Sequence, residues 1–279
     1  MNKTKFSVSM CVYGKDIPEH FKVAVDSIIN QSVVPDQIVL VVDGPVPDGL
    51  EKLICDYEAK QNFTVIRLAE NQGHGRARRA GLEACTNELV AIMDADDISA
   101  PNRFELQLAA FAHNPSVSIV GGNITEFIDT PENIVAMREV PSTDNDIKEY
   151  MKKRCPMNLV TVMFKKTDVQ AVGGFIDWYC EEDYYLWLRM ALAGMMFTNI
   201  HDTVVNVRIG KEMYRRRGGL RYFKSEAKLQ KYMLENKIIG YGLFFMNIAK
   251  RFIVQVLMPN YVRGWVFKKF ARKSVNYGR

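Results

Sequence analysis

No Cys-x-x-Cys pair occurs in this chain. Its five cysteines, Cys11, Cys55, Cys85, Cys155 and Cys180, are odd in number and widely spaced. That pattern argues against a disulfide scaffold and a zinc cluster, and it fits a reducing compartment. No charged-then-apolar leader precedes the strand-like Phe6 to Tyr13, so the expectation is a protein that stays in the cytoplasm. Internal repeats and low-complexity tracts are lacking. No Gly-Lys-Ser/Thr is present, which removes a P-loop. Gly73-His74-Gly75 lacks a third glycine at the right spacing, where Arg78 stands instead, so a dinucleotide fingerprint fails too.

What is present is enough for a substantial core: 279 residues, 48% hydrophobic and 25% charged. The net charge of +5 hides a split. Residues 208–279 hold 18 Lys and Arg against 3 acidic residues, whereas residues 1–207 hold 19 against 29. A mildly acidic body with a basic tail points to an anionic partner surface. The acidic body and the lack of a recognition motif count against nucleic acid as that partner.

Strand-like and helix-like segments alternate through the first hundred residues. Strands are expected at Phe6 to Tyr13, Gln37 to Val42, Thr64 to Leu68 and Glu88 to Met93. Between them, Phe21 to Gln31, Leu50 to Gln61 and Gly75 to Cys85 read as helices, the first with Phe21, Ala24, Val25, Ile28 and Ile29 on one face. The alternation predicts an α/β fold with an open, mostly parallel central sheet flanked by helices. A helix from Asn102 to His113, a strand from Val117 to Gly121, a loop-rich stretch from Thr130 to Asp146, a short strand at Thr161 to Lys165 and a helix from Trp178 to Ala193 follow. In such sheets ligands gather beyond the carboxyl ends of the strands, where Asp43, Asn71 with Gly73, and Asp94 to Asp97 all fall.

The run Leu89 to Asp97 is the most telling. An apolar strand ends in Asp94, Asp96 and Asp97, and the i, i+2 pair can face one space. Clustered carboxylates repel unless a cation or donors sit between them. Oxygen ligands suit Mg²⁺ or Mn²⁺, ions that bridge nucleotide phosphates. An acidic solvent-exposed turn is the alternative for this segment alone.

Asp43-Gly44, Asn71-x-Gly73 leading to Ala77-Arg78 and Gly81, Asp94-x-Asp96-Asp97, and Glu182-Asp183-Tyr184-Tyr185-Leu186-Trp187-Leu188-Arg189 occur in that order. Over roughly residues 5–210 this resembles the family 2 inverting glycosyltransferases of the GT-A fold. The resemblance implies that Asp43 accepts from uracil N3–H and that Val12 and Tyr13 lie along the uracil ring. It implies Arg78 below the nucleotide, Asp94 at ribose and metal, Asp96 on the metal, and Asp97 as a third member. Asp183 would be the catalytic base, with Glu182 beside it. Inversion needs one base for the acceptor hydroxyl, and a divalent cation can absorb the leaving group's charge.

Alternatives stand beside these roles. Asp43 before Gly44-Pro45 could be a turn residue, Arg78 a solvated helix charge, and Glu181 to Asp183 a favourable helix start. Trp178 and Glu181, next to the acidic triplet, are candidates to contact an acceptor sugar. Many family members carry a histidine that completes the metal site. Here the stretch is Asn206-Val207-Arg208-Ile209-Gly210, with Arg208 as a nucleotide-sugar candidate, so the metal would rest on carboxylate, phosphate and water.

The catalytic domain is expected over residues 1–210, its nucleotide-sugar half over about 1–100 and its acceptor half over about 101–210. Residues 211–279 form a basic amphipathic extension. Arg215, Arg216 and Arg217 before Gly218-Gly219 could close over a diphosphate, or form a solvated charge run. Leu243 to Met258 is apolar except for Asn247, Lys250, Arg251 and Gln255. Lys250 and Arg251 at mid-length argue against a spanning helix, which wants about 20 uninterrupted apolar residues. Beyond Pro259, Arg263, Lys268, Lys269, Arg272 and Lys273 interleave with Trp265, Phe267 and Phe270. That pattern suits a helix in the plane of an anionic membrane's cytoplasmic face; packing on the catalytic domain, or an oligomer contact, is the alternative.

Pro156-Met157-Asn158, Thr161 to Lys166 and Tyr214 to Gly219 are similar to a bacterial subgroup that builds O-antigen or exopolysaccharide repeats. The resemblance implies β1,3 transfer of galactose, or next glucose, from a UDP-sugar to GlcNAc-diphosphate-polyprenol. A catalytically dead membrane-bound homologue is the non-enzyme alternative; it would need a broken base or metal motif, and both are intact.

Overall fold

In the computed structural model of the chain, residues 4–210, 218–259 and 262–263 are described. Strands β1 (Phe6–Tyr13), β2 (Gln37–Asp43), β3 (Phe63–Leu68) and β4 (Leu89–Asp94) form a parallel half-sheet. β-branched residues fill β2, and both sheet faces are covered, as expected of buried parallel strands. The register sets Cys11 of β1 beside Asp94 of β4 and Tyr13 beside Asp43 of β2. The carboxyl ends of β1, β2 and β4 therefore open on one crevice.

The sheet continues with β8 (Met163–Lys165), β6 (Val117–Phe127), β9 (Met196–Arg208) and β5 (Ile98–Ser99), with β7 (Ile134–Arg138) paired to β6. The order is β3-β2-β1-β4-β8-β6-β9-β5. β4–β8, β8–β6, β6–β7 and β5–β9 are antiparallel, whereas β6–β9 is parallel. The expected parallel character thus holds for β1 to β4, and the whole sheet is mixed.

Three local expectations change. Residues 130–146 hold β7, joined to β6 by a tight hairpin around Asp129, whose φ is 62°. β9 is long but bulged, with register shifts beside Gly122 and exposed His201 and Asp202 interrupting its pattern. The helix expected from Trp178 begins at Glu182, because Cys180 adopts φ 58° and breaks the helical path.

One sheet face packs on α1 (Pro18–Ile29), α2 (Asp48–Glu58) and α4 (Arg103–His113) through Phe21, Val25, Leu50, Ile54 and Phe104. The other packs on α3 (His74–Ala84) and α7 (Glu182–Leu192) through Leu82, Trp187 and Leu188. Two short helices, α5 (Asp144–Met151) and α6 (Lys166–Ala171), add Ile147, Met151 and Val169 to this second core. The second core also takes in Leu229 and Met233 of α8 (Leu220–Glu235), which are completely buried.

The next helix, α9 (Tyr241–Phe252), continues into a π-helical turn, Ile253–Leu257. Its polar stripe faces inward. Asn247 donates to Lys152 O at 3.0 Å and to Gln230 Oε1 at 2.8 Å, and Arg251 donates to Lys153 O at 3.1 Å and pairs with Glu226 at 2.8 Å. Its outward face is apolar: Tyr241 is 73% exposed, Phe245 64% and Leu257 63%. No helix among the described residues is long and apolar enough to cross a membrane. Arg215 to Arg217 and the basic-aromatic stretch from Trp265 onward lie outside the described residues.

Candidate active site

Asp43 ends β2, and its carboxylate is already engaged. Oδ1 accepts from Gln72 N at 2.7 Å and Oδ2 from Gly73 N at 3.0 Å, while Asn71 Nδ2 donates to the Asp43 carbonyl at 3.2 Å. The loop before α3 is therefore clamped to β2. Gly44, at φ 83°, allows the approach: a Cβ there would lie 2.5 Å from Asn71 N. A carboxylate has about four acceptor sites, so a further donor can still be received. Val12 is buried beside it, and the Tyr13 ring meets His74 edge-on at 6.4 Å.

Arg78 projects from α3 and is buried. It donates to Asp94 Oδ1 at 3.2 Å and to Glu182 Oε1 at 2.8 Å. Burial opposes its charge, but Asp94 and Glu182 more than offset this and hold its pKa above the ordinary value. It is not a solvated helix charge. It ties the end of β4 to the start of α7, which explains why the Glu182 carboxylate turns away from the cleft that Asp183 lines.

The three aspartates after β4 part company. Asp96 is exposed and Asp94 half-exposed. Asp97 is buried and accepts from Arg208 N at 2.8 Å, fastening the end of β9. Burial, then the charges of Asp96 and Asp94, push its pKa well up. Arg208 itself donates to Asp96 O at 3.2 Å and Asp129 O at 2.9 Å, with its guanidinium 4.6 Å above the Phe127 ring.

No group of three or more His, Cys, Asp or Glu side chains among the described residues could hold an ion by itself. An oxygen-only pair with one oxygen of Asp94 taken by Arg78 fits a hard cation completed by phosphate and water.

Two charged groups here escaped the sequence reading. Asp16 accepts from Tyr13 N at 2.9 Å. Burial, then Asp96 and Asp94, push its carboxyl up to about 6. Arg103 is completely buried behind the aspartates, donating to Ile92 O at 2.8 Å and Gln107 Oε1 at 3.1 Å. Burial pulls its pKa down to about 9 against the field of Asp94 and Asp97. Arg103 and Gln107, polar at i and i+4 on an apolar helix face, were the signal for it.

A cleft of about 430 Å³ is lined by Asp94, Asp97 and Asp183 but not by Asp43, Arg78 or Asp96. Asp183 stands in the first turn of α7. Its Oδ1 accepts from Tyr184 N at 2.7 Å, and Cys155 Sγ lies 3.9 Å from Oδ2. Burial, then the neighbouring Glu182, push its carboxyl up to about 6, against the pull of Tyr184 N–H, Arg78 and Arg138. Such a value suits a proton acceptor near neutrality. Glu181 also lines the cleft; burial, then Glu226 and Asp183, push its pKa well up.

Trp178 does not line it. Its ring meets Tyr185 at 4.5 Å, carries Lys228 at 4.4 Å, and its Nε1 donates to Ser225 O at 3.4 Å. These contacts dock α8 onto α7 through the indole. The lining also takes in Arg138, Lys153 and Asn158, and Tyr222, Glu226, Lys250, Arg251, Val254 and Gln255 of the C-terminal helices. Sequence periodicity could not reveal that contribution.

Residues 7–169 match Glycosyl transferase family 2, and residues 89–265 match Glycosyl transferase family group 2. The Escherichia coli UDP-Gal:alpha-D-GlcNAc-diphosphoundecaprenol beta-1,3-galactosyltransferase is 37% identical over 96% of this chain and 97% of its own. The amylovoran biosynthesis glycosyltransferase AmsE of Erwinia amylovora is 33% identical over 95% of this chain and 98% of its own. Among solved structures, S. aureus TarS 1–349 in complex with UDP superposes with a TM-score of 0.64 at 17% identity, covering 95% of this chain and 75% of that one. The Pyrobaculum calidifontis mannosyltransferase PcManGT with GDP-Man and Mn²⁺ gives 0.61 at 17%, covering 91% and 71%. These two share the fold alone, the GT-A architecture that the motif resemblance implied. With most of its length matched by the family and by relatives above 30% identity, this chain belongs to glycosyl transferase family 2.

Proposed function

We propose that this protein transfers a hexose, galactose first and glucose next, from a UDP-sugar to a GlcNAc-diphosphate-polyprenol. The linkage would be β1,3, in the assembly of O-antigen or exopolysaccharide repeats. The observation that carries this reading is the meeting of Asp183 with the β4 carboxylates in one cleft, on a chain that matches a β1,3-galactosyltransferase nearly end to end.

In this reading Asp43, Val12 and Tyr13 hold the base of the nucleotide, and Arg78, Asp94 and Asp97 shape the floor under ribose and diphosphate. Asp96 with Asp94 would hold Mn²⁺ or Mg²⁺, which offsets the charge gathering on the departing diphosphate. Asp183 takes the proton of the acceptor hydroxyl as its oxygen bonds to the anomeric carbon. The bond to the UDP oxygen breaks on the opposite face, and UDP leaves with the electron pair. Glu182 keeps Arg78 in place, and Glu181 stands on the acceptor side.

The outward apolar face of α9 supports a seat on the cytoplasmic face of an anionic membrane, with the protein peripheral to it. The basic tail supports the same seat.

The deciding experiment is transfer to a synthetic GlcNAc-diphosphate-lipid with Mn²⁺, comparing UDP-galactose and UDP-glucose. Turnover with one donor is the expected result, and the linkage is read by NMR of the product. Absence of turnover with both donors, despite UDP binding, would refute the substrate assignment while leaving the nucleotide site standing.

A further inference from the structure

The cleft carries charge of both signs: Asp94, Asp97 and Asp183 line it together with Lys153, Arg154, Lys250 and Arg251. Beside the basic group the carboxylates are neutralised from within. Glu226 pairs with Arg251 at 2.8 Å and accepts from Gln255 Nε2 at 2.5 Å, and burial favours the neutral form of Glu181. Lys153 and Lys250 differ from these. Both are exposed, and neither ammonium forms an ion pair among the described residues.

Their positions are nonetheless fixed. Asn247 binds Lys152 O and Arg251 binds Lys153 O, so two bonds from α9 staple the chain after α5 to the helix that bears Lys250. Two lysines 97 residues apart in sequence are thereby held at the rim of one cleft. The outward face of the same helix is the apolar stripe of Tyr241, Phe245 and Leu257.

We propose that Lys153 and Lys250 form the site for the phosphate-bearing end of the acceptor, a lipid-linked diphosphate. The inference rests on the acceptor class proposed above. A sugar whose hydroxyl reaches Asp183 would carry its diphosphate toward these exposed lysines, and its hydrocarbon would run along the α9 stripe. The donor's own diphosphate is assigned, in the function proposed above, to Asp96 and Asp94. The lysines therefore serve a second anion, and they select acceptors that carry phosphate over those that do not.

The test is the double variant K153Q/K250Q, assayed in neutral detergent so that no anionic bilayer contributes. Both positions are exposed, so folding is preserved; circular dichroism and UDP binding confirm it. The KM for GlcNAc-diphosphate-lipid should rise about tenfold, the effect of losing two exposed charge contacts. The donor KM should hold, and the preference over a phosphate-free GlcNAc glycoside should shrink by the same factor. An unchanged acceptor KM, or a donor KM that rises equally, overturns the inference. So does an effect seen only with anionic vesicles, which would make these lysines contacts for bilayer headgroups.

If the wild type fails to use the acceptor at all, the proposed function falls, and binding of a long-chain alkyl diphosphate in neutral detergent decides the lysine site separately. Binding weakened about tenfold in the variant supports it; no binding by the wild type, or equal binding by both proteins, rejects it.

Discussion

Asp183→Asn should make the protein a far slower enzyme and a more stable one at once. The carboxyl is raised from an ordinary 3.8 to about 6, chiefly by burial and then by Glu182, so ionising it in the folded state costs free energy. At about 1.4 kcal/mol per tenfold in proton affinity, that rise sets a ceiling of about 3 kcal/mol. Because the group is partly open to the cleft, solvent screening reduces this to about 1.5 kcal/mol. The asparagine keeps the acceptor that Tyr184 N–H requires, and it carries no charge.

The pH dependence follows. Below about pH 4 the carboxyl is protonated whether folded or unfolded, and no penalty exists. Between about pH 4 and 6 the unfolded chain loses this proton first, so the wild type is progressively destabilised relative to the variant. Above about pH 6 the penalty is complete. Calorimetric scans at pH 7.5 should show the variant melting about 3–6 °C higher, with the gap closing toward pH 4. Turnover should fall by about 10²–10⁴, and UDP affinity should hold. Wild-type turnover, where proton transfer limits it, should rise with pH and level off above about 6. A variant no more stable than wild type at pH 7.5, or a gap indifferent to pH, would refute the electrostatic reasoning.

Arg78→Met leaves Glu182 and Asp94 without their shared cation; urea denaturation should show a loss of about 3 kcal/mol, with Arg78→Lys recovering only part because one ammonium cannot span both carboxylates. Gly44→Ala places a Cβ 2.5 Å from Asn71 N at φ 83°; stability should drop by about 1–3 kcal/mol and calorimetric UDP affinity should weaken as the clamp on residues 71–73 opens. Because the proposed metal site has two carboxylates, Asp94 and Asp96, Mn²⁺ detected by electron paramagnetic resonance should bind tightly only when UDP is present, and Asp96→Ala should abolish that; tight binding to the protein alone would contradict the assignment. Phe245→Glu with Leu257→Glu lies on the exposed stripe, so the melting temperature should barely move, while co-sedimentation with anionic vesicles should be lost. Unchanged pelleting would remove α9 from the membrane reading.

The strand ends were legible in the sequence because their signals are local. Period-two and period-3.6 patterns located β1 to β4 and α1 to α4 to within a few residues, and turn residues marked where they stop. A strand that ends in Asp94-Ala95-Asp96-Asp97 puts a carboxylate cluster at the strand end by spacing alone. Which aspartate does what depended on neighbours brought from afar. Asp97 turns inward because Arg208, 111 residues later, presents a backbone N–H to it, and Glu182 is drawn aside by Arg78, 104 residues earlier.

The polar stripe of α9 was equally plain in the sequence, with Asn247, Arg251 and Gln255 four residues apart. Its direction was not, since periodicity defines a face without saying what the face meets. Only the tertiary structure turned it inward, onto the carbonyls of Lys152 and Lys153, which put the apolar face outside and two lysines at the rim of the cleft. Side-chain order along the chain sets which groups are available; long-range packing sets the fields and partners that decide their protonation and use.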